Sequence, residues 1–332
     1  MDRTEILHHL THSPPGELMM RADLVRAWHH GDDVHLRGII EFSNHCVRNC
    51  AYCGLRRDNR NLRRYRLAPD AIVAAAVRVA AAGVATVVLQ SGDDFGYSAA
   101  DLAGIIRQIK ARADVAVTLS VGERPFSDYE IWRRAGADRY LLKHETANPD
   151  LYARLHPGQR LEARLAILGF LKELGYQTGN GVIVGLPGQT LEDLAQDVLL
   201  TRRLNADMCG IGPFMPHSAT PLSGVSSGAL DITLRMIALI RLLCPRIHLP
   251  ATTALATLAP EDGLYLGLMA GANVLMPDFT PAQWQGEYAL YDHKAHIAPA
   301  QARSVTARAS RRVAGWNKDP GPKESEQYAK HA

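Results

Sequence analysis

Three of the five cysteines in this 332-residue chain, Cys46, Cys50 and Cys53, fall within the stretch NHCVRNCAYCG. Thiolates are soft ligands that suit zinc or an iron–sulfur cluster, and the tight spacing brings three of them onto one short loop. The fourth ligand decides between the two. A structural zinc site closes with four protein donors; His45 stands beside Cys46, whereas Cys209 and Cys244 are isolated and distant in sequence. A cubane held by only three cysteines instead leaves one iron open for a small molecule to chelate. An odd cysteine count with three clustered is no disulfide framework, and it fits a metal in a reducing cytoplasm.

A second concentration of charge follows directly. LRRDNRNLRRYR places Arg56, Arg57, Arg60, Arg63, Arg64 and Arg66 in one segment. It reads either as a solvated positive face or as a binder of phosphates or of an acidic partner. Over the whole chain 37 lysines and arginines nearly balance 34 acids, so charge gives no global reason to invoke nucleic acid or an anionic membrane. No apolar run approaches the roughly 20 residues of a membrane helix. The N-terminal segment mixes acids with bases and lacks a continuous apolar core, so it resembles neither a signal nor a transit peptide. A soluble, cytoplasmic protein is expected.

The elements able to hold these residues alternate along the chain. Short β-branched and aliphatic runs predict strands at 35–42, 85–90, 115–120, 139–145, 181–186, 207–212, 246–251 and 273–277. Amphipathic segments separate them, among them APDAIVAAAVRVAAAG, with proline in its first turn and glycine past its end. Eight βα units imply a parallel sheet, and they fit a closed (βα)8 TIM barrel better than an open doubly wound sheet. The expected organisation is an N-terminal helical extension over 1–34, a barrel over 35–315 and a polar, disordered tail over 316–332.

Strand alternation adds an independent indication. Successive residues of a barrel strand point alternately to the lumen and to the outer helices. In RYLLKHE, Arg139, Leu141, Lys143 and Glu145 share a face, and the charged set is predicted to point inward. Unpartnered buried charge is too costly for a packed core. The lumen is therefore expected to be open and polar, unless these charges merely pair among themselves. Thr118 and Ser120, and likewise Thr86, Val88 and Gln90, share faces on neighbouring strands. Polar residues also gather where strands end: Gln90 and Ser91, Ser120, Glu145, GLPGQT, Thr252 and Thr253, and Asp278. That C-terminal mouth is where barrel enzymes place their sites. GLPGQT lacks the lysine of a P-loop and reads more simply as a tight turn beside a ligand.

The CxxxCxxC spacing, with Tyr52 just before the third cysteine, resembles the signature of radical S-adenosylmethionine enzymes. IEFSNHCVRNCAYCGLRRDNRNLRRYRL, VVLQSGDD, GADRYLLKHETANP, LKELGYQTGNGVIVGLPGQT, GIGPFMPHSATPL, PATTALATLAP and GANVLMPDFTP together resemble the HydE family of FeFe-hydrogenase maturases, over about residues 39 to 292. The resemblance implies a barrel with one 4Fe–4S cluster on Cys46, Cys50 and Cys53 and S-adenosylmethionine beside it. Tyr52 would touch the adenine, Ser91 would belong to the cofactor site, Glu145 would bind the ribose hydroxyls, and Arg164 would meet the cofactor's carboxylate. Gln90, Thr118, Ser120, Arg139, Lys143, Met208, Thr252, Thr253, Met276, Tyr288 and Tyr291 would line the substrate cavity.

The resemblance further implies reductive cleavage of S-adenosylmethionine to a 5′-deoxyadenosyl radical. That radical would act on a small iron complex bearing cysteine, carbon monoxide and cyanide. An electron-donor protein and other hydrogenase maturases are the expected partners; nucleic acid and membrane are not. Two departures stand out. Lys143 occupies a place where relatives often carry arginine, and lysine cannot present the same planar fork to a carboxylate. Some relatives carry a further cysteine trio near the C-terminus, which HKAHIAPAQARSVTARAS lacks, so no second cluster is predicted. Biotin synthase-like and methylornithine synthase-like enzymes are the rival enzymatic readings. A zinc-stabilised RNA-binding or scaffold protein is the rival of another class.

Overall fold

The apolar runs and the amphipathic segments between them form parallel strands returned by helical crossovers, the connection that parallel neighbours require. A computed structural model describes residues 1–315. The expected disordered tail, 316–332, lies outside the described residues. The strands are β1 (Asp33–Ser43), β2 (Thr86–Ser91), β3 (Ala116–Ser120), β4 (Arg139–Leu141), β5 (Gln177–Val184), β6 (Met208–Pro213), β7 (Val274–Leu275) and β8 (Arg312–Val313). The first seven lie in the order β6-β5-β4-β3-β2-β1-β7, and β8 pairs with the start of β1. All paired neighbours are parallel.

Residues 246–251 complete the ring between β6 and β7. The sequence predicts a full strand here, yet only isolated parallel bridges form, Met208 with His248 and Pro250 with Val274. Pro250 has no N–H to donate, which interrupts a regular ladder. Two other strands are also shorter than their apolar runs. β4 stops at Leu141 rather than continuing to 145, and β7 spans only two residues before Pro277.

Helices α1 (Arg3–Thr11) and α2 (Pro15–His30) precede the barrel, and α3 (Pro69–Ala81) makes the first crossover. The helix Leu230–Leu243 is buried at every position from Thr233 to Arg241. A helix that is apolar nearly all round needs cover on both sides. Strand β6 lies on one side and α2 on the other. Arg235 ties the layers by donating to the carbonyls of His9 and Ser13, both at 2.7 Å. Among the described residues no helix is long and apolar enough to cross a membrane.

Candidate active site

The three cysteines sit on the loop that leaves β1, and the neighbouring loops clamp it. Val47 N–H donates to Asp93 O at 3.0 Å, Ala51 N–H to Leu155 O at 2.8 Å and Gly54 N–H to Leu290 O at 2.8 Å. Arg64 closes the loop from outside, donating to the carbonyls of Asn44, Leu55, Arg56 and Asn59. Gly92 presses against the loop so closely that a Cβ there would lie 2.7 Å from the Cβ of Cys46. All three thiols are free and line one cavity of about 340 Å³ at the strand ends. Burial pushes each of them up, Cys50 to about 12. Buried thiols of this kind ionise when a bound metal supplies the compensating charge.

Tyr52 lines the same cavity, its hydroxyl 2.7 Å from His156 Nε2. The geometry assigns the proton. His156 Nδ1 lies 2.9 Å from the Tyr152 carbonyl, which can only accept, so Nδ1 carries the hydrogen and Nε2 accepts from Tyr52. Burial, reinforced by Arg164, drives His156 down to about 4 and keeps it neutral.

Glu145 follows the end of β4 with φ +66°, a left-handed conformation uncommon outside glycine. Backbone bonds to β5 hold it there: Glu145 N–H donates to Gly181 O at 2.9 Å, and Ile183 N–H donates to Glu145 O at 3.0 Å. Its carboxylate meets Lys143 Nζ at 3.1 Å. Burial alone would raise Glu145, but the positive charges of Lys143 and Arg164 overcome it and hold the carboxyl below its ordinary value.

Arg164 donates to Glu123 at 2.7 Å, to Lys143 O at 3.0 Å and to Gln159 at 3.1 Å. The network extends both ways. Gln159 reaches Cys50 Sγ at 3.8 Å, while Arg48 bridges Glu123 at 3.2 Å and Asp93 at 2.7 Å. Sequence reading missed Arg48, Asp93, Glu123 and Gln159. Arg48 lies inside the cysteine motif itself, so position could have flagged it, whereas Glu123 and Gln159 carry no local signal.

Of the other expected residues, Gln90, Ser91, Ser120, Lys143, Thr252 and Thr253 border this cavity, together with Met276, Tyr288 and Tyr291. Thr118 and Met208 do not. They border a small void of about 30 Å³, which Met276 shares. Arg139 is fully buried, donating to Gln177 at 2.5 Å and to Thr86 at 2.9 Å, and is not on the cavity wall. The reason is depth: Arg139 opens β4, and at about 3.3 Å per residue Lys143 stands about 13 Å nearer the mouth.

The structure also brings in a pair that sequence reading did not contain. Lys294 Nζ lies 2.7 Å from Glu41 Oε1, and both side chains line the cavity. Burial raises Glu41 to about 7 despite the opposing pull of Lys294.

These residues fit the cofactors that the cysteine motif implies. Buried Thr252 Oγ1 lacks a hydrogen-bond partner within the protein, and buried Glu145 Oε2 meets only the Lys143 ammonium, at 3.1 Å; both residues border the space beside the thiols. Such atoms are costly unless a ligand meets them.

A family model described as the Radical SAM superfamily matches residues 40–200. The FeFe-hydrogenase maturase subunit HydE of Thermotoga maritima is 51% identical over 277 residues, covering 83% of this chain and 79% of that protein. A 3-methylornithine synthase of Methanosarcina acetivorans is 27% identical over 90% of this chain and 83% of its own length. Among solved structures, methylornithine synthase (PylB) matches with a TM-score of 0.86 at 24% identity, covering 95% of this chain and 94% of that one. The maturase HydG from Carboxydothermus hydrogenoformans matches at 0.78 and 20% identity, covering 93% and 75%. These two likenesses establish the barrel fold, and the identity to the Thermotoga protein establishes the family. The chain is a radical S-adenosylmethionine enzyme and belongs to the HydE family of FeFe-hydrogenase maturases.

Proposed function

We propose that this chain holds one 4Fe–4S cluster on Cys46, Cys50 and Cys53, and that it processes a small iron complex carrying cysteine, carbon monoxide and cyanide within its barrel. The family implies the cluster and S-adenosylmethionine. When bound, the cluster supplies the electron that breaks the sulfonium carbon–sulfur bond of S-adenosylmethionine, leaving methionine and a 5′-deoxyadenosyl radical.

The chain's own residues bind, orient and shield. Tyr52 faces the adenine, its ring fixed by His156. Ser91 and Glu145 take the ribose, the Glu145 carboxylate being held by its ion pair with Lys143. Arg164 meets the cofactor's carboxylate from a frame set by Glu123 and Gln159. Lys143 offers its ammonium to an anionic guest as a point charge rather than a fork. Gln90, Ser120, Thr252, Thr253, Met276, Tyr288 and Tyr291 form the wall around that guest, and Thr118, Met208 and Arg139 support its floor. Enclosure keeps water from the radical and fixes the distance to its target.

One cluster is proposed, since neither Cys209 nor Cys244 borders the cavity. Cytoplasmic residence and partnership with other maturases are proposed on the same family grounds. The observation that carries the proposal is the convergence of three free thiols, Glu145, Arg164 and Lys143 on one cavity.

Anaerobic incubation with reductant and S-adenosylmethionine is expected to release 5′-deoxyadenosine, from protein holding iron and sulfide near four each per chain. Cys50→Ala should lose the cluster's visible absorbance and the release together, with helical circular dichroism retained. Colourless wild-type protein containing zinc would refute the proposal.

A further inference from the structure

Strand β1 turns one ionisable side chain into the lumen. Ile39 and Glu41 line the cavity, while Ile40 and Phe42 pack into the apolar core, as the two-residue period of a strand requires. Glu41 is only 1% exposed. Lys294 Nζ meets its Oε1 at 2.7 Å and fixes the orientation of the carboxylate. The other oxygen, Oε2, is buried and has no hydrogen-bond partner among the described residues. A carboxylate oxygen left unmet in such a place is costly, and a donor brought in by a guest removes that cost. Lys294 is itself held, between Glu41 and the Tyr288 ring, whose centroid lies 5.7 Å from Nζ. What this wall offers a guest is therefore an acceptor.

The opposite wall carries a cation. Strands β1 to β6, residues 246–251 and β7 make an eight-place ring in which β5 stands across from β1. The Lys143 side chain lies over Gly181 of β5 and Gly210 of β6, which sets it across the lumen from Glu41. Both line the same cavity. A guest between them meets a positive charge on one side and an unfilled carboxylate oxygen on the other.

We propose that Glu41 is a specificity-determining residue, whose Oε2 accepts a hydrogen bond from the amino group of an amino-acid-derived guest while Lys143 holds that guest's carboxylate. The inference rests on the proposed function and narrows its substrate class to molecules with both an amine and a carboxylate. Hydrogen bonds between ionised partners are the strong ones, and a site built around such a bond rejects an analogue that lacks the donor.

The test uses cluster-loaded protein saturated with S-adenosylmethionine and kept without reductant, so that the cofactor's place is filled and no turnover occurs. Calorimetric titration compares L-cysteine with 3-mercaptopropionate, which lacks the amine, and with cysteamine, which lacks the carboxylate. Wild type is expected to bind cysteine about tenfold or more tightly than either analogue. Glu41→Gln should bring cysteine down to the level of mercaptopropionate and leave mercaptopropionate itself unchanged. Lys143→Met should instead bring cysteine down to the level of cysteamine. Ratios between ligands separate these outcomes from a general loss of structure, which lowers all three alike. No cysteine binding by wild type, equal binding of cysteine and mercaptopropionate, or a Glu41→Gln variant that keeps the preference or loses both ligands equally would overturn the inference and leave Oε2 as a site for water. Wild type that shows the preference but releases no 5′-deoxyadenosine on reduction would count against the proposed function alone.

Discussion

Lys294 and Glu41 form the residue-scale feature with the clearest consequence. Their contact at 2.7 Å lies in the cavity wall, and both side chains are nearly inaccessible. Removing one member of a buried pair strands the other's charge, typically at about 3–5 kcal/mol, unless that group takes up or loses a proton. Glu41 can take one up, since burial already raises it from its ordinary 4.5 to about 7. A carboxyl raised in the folded state contributes stability that is full below its unfolded value and lost as pH rises through the folded one. Without Lys294 the folded value moves higher still. Lys294→Met is therefore expected to melt near the wild-type temperature at about pH 6 and to fall increasingly below it towards about pH 8. Thermal denaturation across that range checks this; a deficit independent of pH would mean that Glu41 does not titrate in the fold.

At the scale of elements, β5 and β6 are built thin where the cavity needs depth. Gly179 and Gly181 of β5 pair with Met208 and Gly210 of β6. The Lys143 side chain lies across this glycine tract, and a Cβ on Gly181 would stand 2.6 Å from its Cε and 2.5 Å from Gly210 O. One contact could move with the lysine, but the other is backbone. Gly181→Ala is predicted to cost about 1–3 kcal/mol by overpacking and to displace Lys143 from Glu145. The measurements are the chemical-denaturation midpoint and substrate turnover, with S-adenosylmethionine cleavage kept as the internal reference. Unchanged turnover at normal stability would show that the tract does not set Lys143. Beyond the end of β4, Glu145 takes a left-handed turn while still bonding to Gly181 and Ile183 of β5.

Across the whole molecule, the N-terminal helices cover the outside of the barrel's helical layer. Helix α2 ends on His30, whose Nε2 lies 3.0 Å from Arg241 Nη1 on the buried helix Leu230–Leu243. A guanidinium can only donate, so His30 must accept there as a neutral ring. Burial, with Arg241 adding, lowers His30 to about 3. A histidine depressed in this way contributes stability that is present above its unfolded value of 6.5 and lost as pH falls through about 3. His30→Gln keeps an acceptor and removes the titration. Wild type is expected to lose more stability than this variant between about pH 6.5 and pH 3. Parallel melting curves across that window would exclude His30 as the acid-sensitive contact.

Local pattern by itself determined the cysteine loop, the alternation of strands and helices, and the inward face of Lys143 and Glu145. Each depends on spacing of a few residues: the motif's x3 and x2 gaps, the two-residue period of a strand, and the caps of a helix. Period fixes a face but not a height. Arg139 shares the face of Lys143, yet it opens β4 and sits beneath the cavity, a depth that only the register with Thr86 and Gln177 decides. Proline hid the irregularity of 246–251, whose apolar run reads like its neighbours until its missing N–H must meet a partner. The Glu41–Lys294 pair and the chain from Cys50 through Gln159 and Arg164 to Glu123 join residues far apart in sequence. Only closure of the barrel brings such side chains together, because a contact between distant segments leaves no periodic trace in either.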